Sequence, residues 1–387
     1  MAPLSTYRSF FVAGAIFLLL VQLSVVVLGV PGGLAGRADF RVLYAAGHMV
    51  RSGDGHQLYN YDKTVATESE LAGETGATFG FVHPAYEALL FVPLSFLSYK
   101  SAYIVFFFCN IGLILIVFRS LMANSGWIGE IWAGLPAISV AGFVPIGICL
   151  IQGQDSILLT LIVVCAYIFQ RQGKDFVAGL ILGLGLFRFQ IVLPIALCLC
   201  LWRRWKFLAG FAATLFGVVG LSAAVAGPSS LLSYPSYVMS MDKGLDLEAQ
   251  RIAHGTSPAA MPNLRGLLFV LLNGKVNENS LFAMTFAASA ALLVWAFLKR
   301  LPLDLVVMVA LLVSFHGSLH DSALMLLPLL QWGITATGPP HKLLLPWIML
   351  FVCPTVVFAL GIPLAFLALA YALALGAMER WGHKEDG

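Results

Sequence analysis

Charge is what this chain has least of. Only 11% of its 387 residues are Asp, Glu, Lys or Arg, while 60% are hydrophobic. A water-soluble domain of this length has no way to hide so much apolar surface, which excludes a soluble globular fold. The formal net charge of +3 is too small to draw a polyanion, so no nucleic-acid partner is expected. Cysteine is sparse and scattered: Cys109, Cys149, Cys165, Cys198, Cys200 and Cys353 all lie in apolar runs, without Cys-x-x-Cys or His-rich spacing. Neither a disulfide framework nor a thiolate metal site follows from them, and they read as small buried hydrophobes. A phosphate-cradling glycine loop, a Ser-His-Asp arrangement and a nucleotide fingerprint are all missing, which argues against an ATP-driven pump.

What the chain does have is a series of long apolar runs, so the expected fold is an all-α polytopic membrane protein forming one domain over 1–387. The first run, 10–30, lacks a small-residue cleavage site and reads as a retained span. Further spans are expected at 102–117, 132–151, 156–169, 207–226, 280–298, 303–315 and 322–335, with two more ending at Glu379-Arg380. The stretch 176–201 holds Arg188 at its middle. As one straight helix it would be about 39 Å long and would carry the cluster Trp202-Arg203-Arg204-Trp205-Lys206 to the outside, against the excess of basic residues in inner loops. A break at Phe187-Arg188-Phe189-Gln190 returns that cluster to the cytoplasm, the broken backbone being tolerated only inside protein. The total is then ten to twelve crossings, with interfacial helices on the outer face. Two large outer loops remain, 31–100 and 227–279.

Within the first loop, Phe40, Leu43, Tyr44, Gly47 and Val50 form one apolar helical stripe, with Arg41, His48 and Ser52 on other faces and Gly53 as a stop. Such a helix should lie in the interface plane, with Asp39 held at its start, at the depth of a lipid head group. Asp39 is also well suited to cap that helix, and the two roles are compatible. The carboxylates 68–74 read as a solvated face. Arg188 costs at least ~2.5–3.5 kcal/mol at mid-membrane unless it meets an anion or a wet cavity. Its planar fork suits a phosphate, and the alternative is an arginine that snorkels to the interface. Gln152-Gly153-Gln154-Asp155 is a tight turn whose amides could contact a sugar, or simply a turn. His316, His320 and Asp321 lie at the junction of two spans and read either as phosphate or hydroxyl partners or as polar residues in a wet turn, with spacing that diagnoses no metal. Arg265 opens an apolar helix and has the position of a head-group anchor. In this topology Asp39, His83, Gln154, Arg188, Arg265, His316 and Asp321 all fall on one side of the membrane.

The order of these motifs resembles the GT-C glycosyltransferases. It is most similar to glycosyltransferase family 87, the polyprenol-phosphate-mannose-dependent mannosyltransferases of bacterial envelopes. The resemblance is carried by Ala38-Asp39-Phe40-Arg41-Val42-Leu43-Tyr44-Ala45-Ala46-Gly47, Phe81-Val82-His83-Pro84, Gly153-Gln154, the run from Ala178-Gly179-Leu180 through Arg188-Phe189-Gln190, Asn263-Leu264-Arg265-Gly266-Leu267, and Ser314-Phe315-His316 with His320-Asp321. It implies an inverting hexosyltransferase that takes its sugar from a polyprenyl phosphate and passes it to a lipid or glycolipid acceptor. The expected setting is the bacterial inner membrane, with the site on the periplasmic side. Asp39 would be the general base, and Arg188 with His316 the donor-phosphate ligands. Arg41, Tyr44, His83, Gln154, Gln190, Arg265, His320 and Asp321 would line the substrates. No cofactor and no metal ligand are implied, with a divalent cation left open. The rival readings are a transporter or lipid flippase, which also uses broken helices, and a lipid-linked glycan ligase or polymerase.

Overall fold

The computed structural model describes residues 4–73, 80–122, 126–243, 257–335, 343, 344, 347 and 348. Every regular element among them is helical, and five helices are long and apolar enough to cross a membrane. This is an all-α integral membrane protein. A bent pair adds a sixth such unit, and two apolar helices are shorter. The expected last two spans lie outside the described residues.

α1 (Leu4–Leu34) runs beside two consecutive pieces, α5 (Leu135–Ala141) and α6 (Val144–Gln152). The sequence pattern predicts one continuous span at 132–151. Instead, α5 and α6 meet at a 44° bend. Pro145 explains it, since proline lacks an N–H and fits the first turn of a helix rather than its interior. Between α1 and α5 come α2 (Phe40–Arg51), α3 (Tyr61–Ala72) and α4 (Tyr99–Leu121). The apolar run after Pro84 forms only single turns, Ala85–Glu87, Ala88–Phe91 and Leu94–Phe96. α2 is not an interfacial helix with one wet face. Nine of its residues are buried, Arg41 among them, because α3, α4 and these short turns cover it.

α7 (Ser156–Arg171) leads to α8 (Asp175–Gly183), a 3-10 stretch Leu184–Arg188, α9 (Phe189–Leu201) and α10 (Trp205–Ala226). By length and composition 175–201 counts as one span, but its neighbours show that it turns back. α8 and α10 lie side by side in the same direction. Arg204 Nη2 at the start of α10 is 3.5 Å from Asp175 Oδ1 at the start of α8, and Thr214 Oγ1 donates to the Leu180 carbonyl at 2.8 Å. Cβ atoms on Gly179 or Gly210 would overlap the backbone of the opposite helix, so the glycines set this close approach. α9 must therefore return the chain to the end from which α8 set out. The expected break is present, and Arg188 stands at its tip.

α11 (Pro228–Lys243) contains a Tyr-Pro pair and a Ser-Tyr pair. It continues as a helix through Pro235, with Ser233, Ser236 and Ser240 hydroxyls donating to carbonyls three residues earlier. α12 (Leu264–Leu272), α13 (Glu278–Lys299), α14 (Leu303–Val313), a 3-10 stretch Leu319–Met325 and α15 (Leu326–Thr335) complete the described chain. Trp202 Nε1 donates to the Phe297 carbonyl at 3.0 Å. Arg203, Arg204, Lys206, Lys299 and Arg300 thus gather at one end, with Arg171 and Lys174 beside the start of α8. We call it the basic end. The opposite end holds Asp39, the 152–156 turn and the tip at Arg188.

Candidate active site

Asp39 occupies the N-cap position of α2 but makes no side-chain capping bond. Its backbone there is already helical, with φ −60° and ψ −21°, whereas a capping side chain needs extended backbone to reach the free amides. The capping role expected for it is therefore not realised. Its carboxylate is held from elsewhere: Gln154 Nε2 donates to Asp39 Oδ2 at 2.6 Å. The second oxygen, Oδ1, has no hydrogen-bond partner among the described residues, and Asp39 is only half-buried.

The turn between α6 and α7 organises everything around it. Gly153 adopts the left-handed conformation, φ 59° and ψ 48°, and a Cβ there would sit 2.6 Å from Phe40 Cβ. Only glycine gives both the turn and that close approach without strain. On one side of it, Gln152 Oε1 accepts from the Asp39 amide at 3.2 Å. On the other, Gln154 spans two groups, its Nε2 on Asp39 and its Oε1 accepting from Arg188 Nη2 at 2.6 Å. The two partners fix the amide, since a guanidinium can only donate. Asp39 and Arg188 are thus one amide apart.

Arg188 is buried at the tip between α8 and α9. Its Nε and Nη2 both donate to Asp155 Oδ1, at 3.0 and 2.6 Å. Asp155 supplies the counter-charge that makes a buried guanidinium tolerable. Nη1 carries no hydrogen bond among the described residues, so one arm of the fork is available to a ligand. Behind Asp155, His83 Nδ1 lies 2.7 Å from Glu87 Oε2 and 3.9 Å from Asp155 Oδ2. Burial, followed by the Arg188 charge, lowers His83 to about 3, which keeps its ring neutral. Burial and then the neighbouring Asp155 carboxylate push Glu87 well above the usual carboxylate range.

Ser156 carries the network one residue further. Its hydroxyl donates to Asp321 Oδ1 at 2.8 Å and meets His320 Nδ1 at 2.9 Å. Asp321 also closes a capping box with Ser318, whose amide donates to Asp321 Oδ2 at 2.9 Å. His320 and Asp321 therefore anchor the start of the 3-10 stretch Leu319–Met325 against the turn. Asn263 caps α12 and ties it to the loop after α14, its Nδ2 donating to the Ser314 carbonyl at 2.9 Å. Arg265 lies over the Phe315 ring, 4.0 Å from the centroid, with Nη1 donating to the Phe315 carbonyl at 3.2 Å.

The structure places the expected site residues in two groups. Asp39, His83, Gln154, Arg188, His320 and Asp321 share one connected network. Arg265 sits on the loop after α14, where His316 is half-buried, and Gln190 is half-buried in the first turn of α9. Arg41 points elsewhere. Its Nε lies 3.1 Å from Glu68 Oε2, and its Nη1 and Nη2 donate to the Gly36 and Gly73 carbonyls at 3.3 and 3.4 Å. Glu68 is fully buried, not part of a solvated face. Tyr44 donates to the Leu97 carbonyl at 2.8 Å, its ring packed against Phe40 and Tyr99. Three members of the network were not expected: Glu87, Asp155 and Ser156. A lone acid inside the apolar run after Pro84 was the available signal for Glu87, because such a group needs a partner.

Asp39, with one oxygen unengaged, and Arg188, with one nitrogen unengaged, thus lie one amide apart among apolar helices. The chain belongs to glycosyltransferase family 87, whose family model matches residues 81–328, more than half of the sequence. It is accordingly a glycosyltransferase. The match takes in His83, Glu87, the 152–156 turn, Arg188 and Asp321, and begins after Asp39. No curated protein and no solved structure matched.

Proposed function

We propose that the protein is an inverting hexosyltransferase that moves a sugar, mannose as the first candidate, from a polyprenyl phosphate to a lipid-linked or envelope glycan. The observation that carries this reading is the bridge Asp39–Gln154–Arg188, which sets a base and a phosphate-binding cation at a fixed separation. In the reaction the acceptor hydroxyl oxygen attacks the anomeric carbon while the bond from that carbon to the phosphate oxygen breaks. The hydroxyl proton passes to Asp39 Oδ1, and the polyprenyl phosphate leaves with the bonding electron pair. Arg188 Nη1 donates to the departing phosphate as its charge develops. Attack and departure on opposite faces of the sugar invert the anomeric centre, as in single-displacement glycoside chemistry. A lipid phosphate is an adequate leaving group once its charge is met, so neither a nucleotide nor a covalent intermediate is required. The gathering of Lys and Arg at the opposite end favours a site on the outer, periplasmic face. The test is purified protein incubated with a panel of polyprenyl-phosphate sugars, the lipid product being identified by mass spectrometry. Failure to extend any acceptor with any of these donors, in protein shown to be folded, would overturn the donor assignment.

A further inference from the structure

His83, Glu87 and Asp155 form a second constellation directly behind Arg188. We propose that they bind a divalent transition-metal ion, of the zinc or manganese type, through His83 Nδ1, the Glu87 carboxylate and Asp155 Oδ2. The three ligand atoms come from three different side chains and lie within 4.8 Å of one another. That is close to the widest separation, about 4.2 Å, that two ligands can have across an ion bound at about 2.1 Å, and small side-chain adjustments close the gap. His83 and Glu87 come together because they are four residues apart around the turn opened by Pro84, while Asp155 arrives from the turn before α7.

The hydrogen-bonding pattern is the second line of support. His83 Nδ1, both Glu87 oxygens and Asp155 Oδ2 are buried and have no hydrogen-bond partner among the described residues. The 2.7 Å approach of Nδ1 to Glu87 Oε2 is therefore close without being a hydrogen bond, which is how two ligands of one ion stand. A single proton on Glu87 engages at most two of these four atoms. One cation engages all three side chains. Mixed imidazole and carboxylate donors with open positions suit zinc or manganese rather than magnesium. Arg188 does not compete for the same atom, because both of its bonds to Asp155 go to Oδ1. Asp155 then bridges guanidinium and ion. With a dication bound both acids are ionised, and Glu87, Asp155, Arg188 and the ion together carry one positive charge, a favourable setting for an anionic donor. The ion would position Asp155, and through it Arg188, for a phosphate.

The role toward the donor rests on the proposed transferase reading, but the binding does not, so the experiment reads binding. Full-length protein in detergent is stripped with chelator, incubated separately with Zn²⁺, Mn²⁺ or Mg²⁺, desalted and assayed for bound metal by mass spectrometry. About one Zn²⁺ or Mn²⁺ per chain is expected, with little Mg²⁺ retained. Glu87→Gln and His83→Ala should each weaken binding by at least ~10-fold, while Asp39→Asn should bind like the wild type. Substoichiometric Zn²⁺ and Mn²⁺ on the wild-type chain overturns the proposal whatever the variants do, and so does unchanged binding in folded Glu87→Gln and His83→Ala. Protein that binds the ion yet transfers no sugar refutes the donor reading alone. Full transfer by the stripped protein refutes the ion's role toward the donor alone.

Discussion

Among the described residues, two arginines are buried beside a carboxylate, and they are not used alike. Arg41 is closed: Glu68 takes its Nε, and backbone carbonyls of Gly36 and Gly73 take its other two nitrogens. It joins the start of α2 to α3 and its trailing residue, so its charge is spent on holding the first loop against the helices. Arg188 is open: Asp155 and Gln154 occupy Nε and Nη2, and Nη1 is left over. Burial of an arginine thus does not by itself mark a ligand site. What distinguishes the second is an unfilled donor, and an amide leading from it to a second half-satisfied charge.

That contrast can be broken by substitution. The largest effect is expected at the far end of the open network. Asp39→Asn preserves shape and the Gln154 contact but removes the proton acceptor, so kcat should fall by ~10²–10⁴ with an unchanged melting temperature. Native turnover in that variant would end the assignment of the base. Arg41→Met strands Glu68 in the interior and should cost ~3–5 kcal/mol of stability, measured by thermal or denaturant unfolding in detergent. Turnover per folded molecule should stay near wild type, and a folded but inactive Arg41→Met would move Arg41 into the open class. Arg188→Lys keeps a charge but loses the two-pronged contact, and donor KM should rise by ~10–100-fold, more than acceptor KM. Gln154→Met removes the bridge while leaving both charged ends. A loss of ~10-fold in kcat/KM, with Asp39 and Arg188 intact, would show that the amide positions them.

Much of this was legible in the sequence. The break at Arg188 followed from a conflict between an apolar run and the basic cluster Trp202–Lys206 behind it, which a broken helix relieves. Arg188 stood out as a charge where membrane physics disfavours one, Asp39 as an acid at the start of a helix with an apolar stripe, and Gln154 as part of a tight turn. The partners were not legible. Glu68 sits among other acids in a hydrophilic loop, and nothing local says that it alone turns inward to meet Arg41. Asp155 precedes an apolar helix and looks like any residue of a turn. Its role comes from Arg188, 33 residues away. The capping role of Asp39 failed because side-chain capping depends on the backbone angles of one residue, which spacing does not fix.

Five consecutive residues, Gln152 to Ser156, each hold part of the site: the Asp39 amide, the Phe40 side chain, the Asp39 and Arg188 side chains together, Arg188 again, and the His320–Asp321 pair. The site is therefore sensitive to length as well as to identity. Inserting one residue between α6 and α7 would leave every functional side chain present, yet rotate α7 by about 100° against the rest and point each contact at the wrong neighbour.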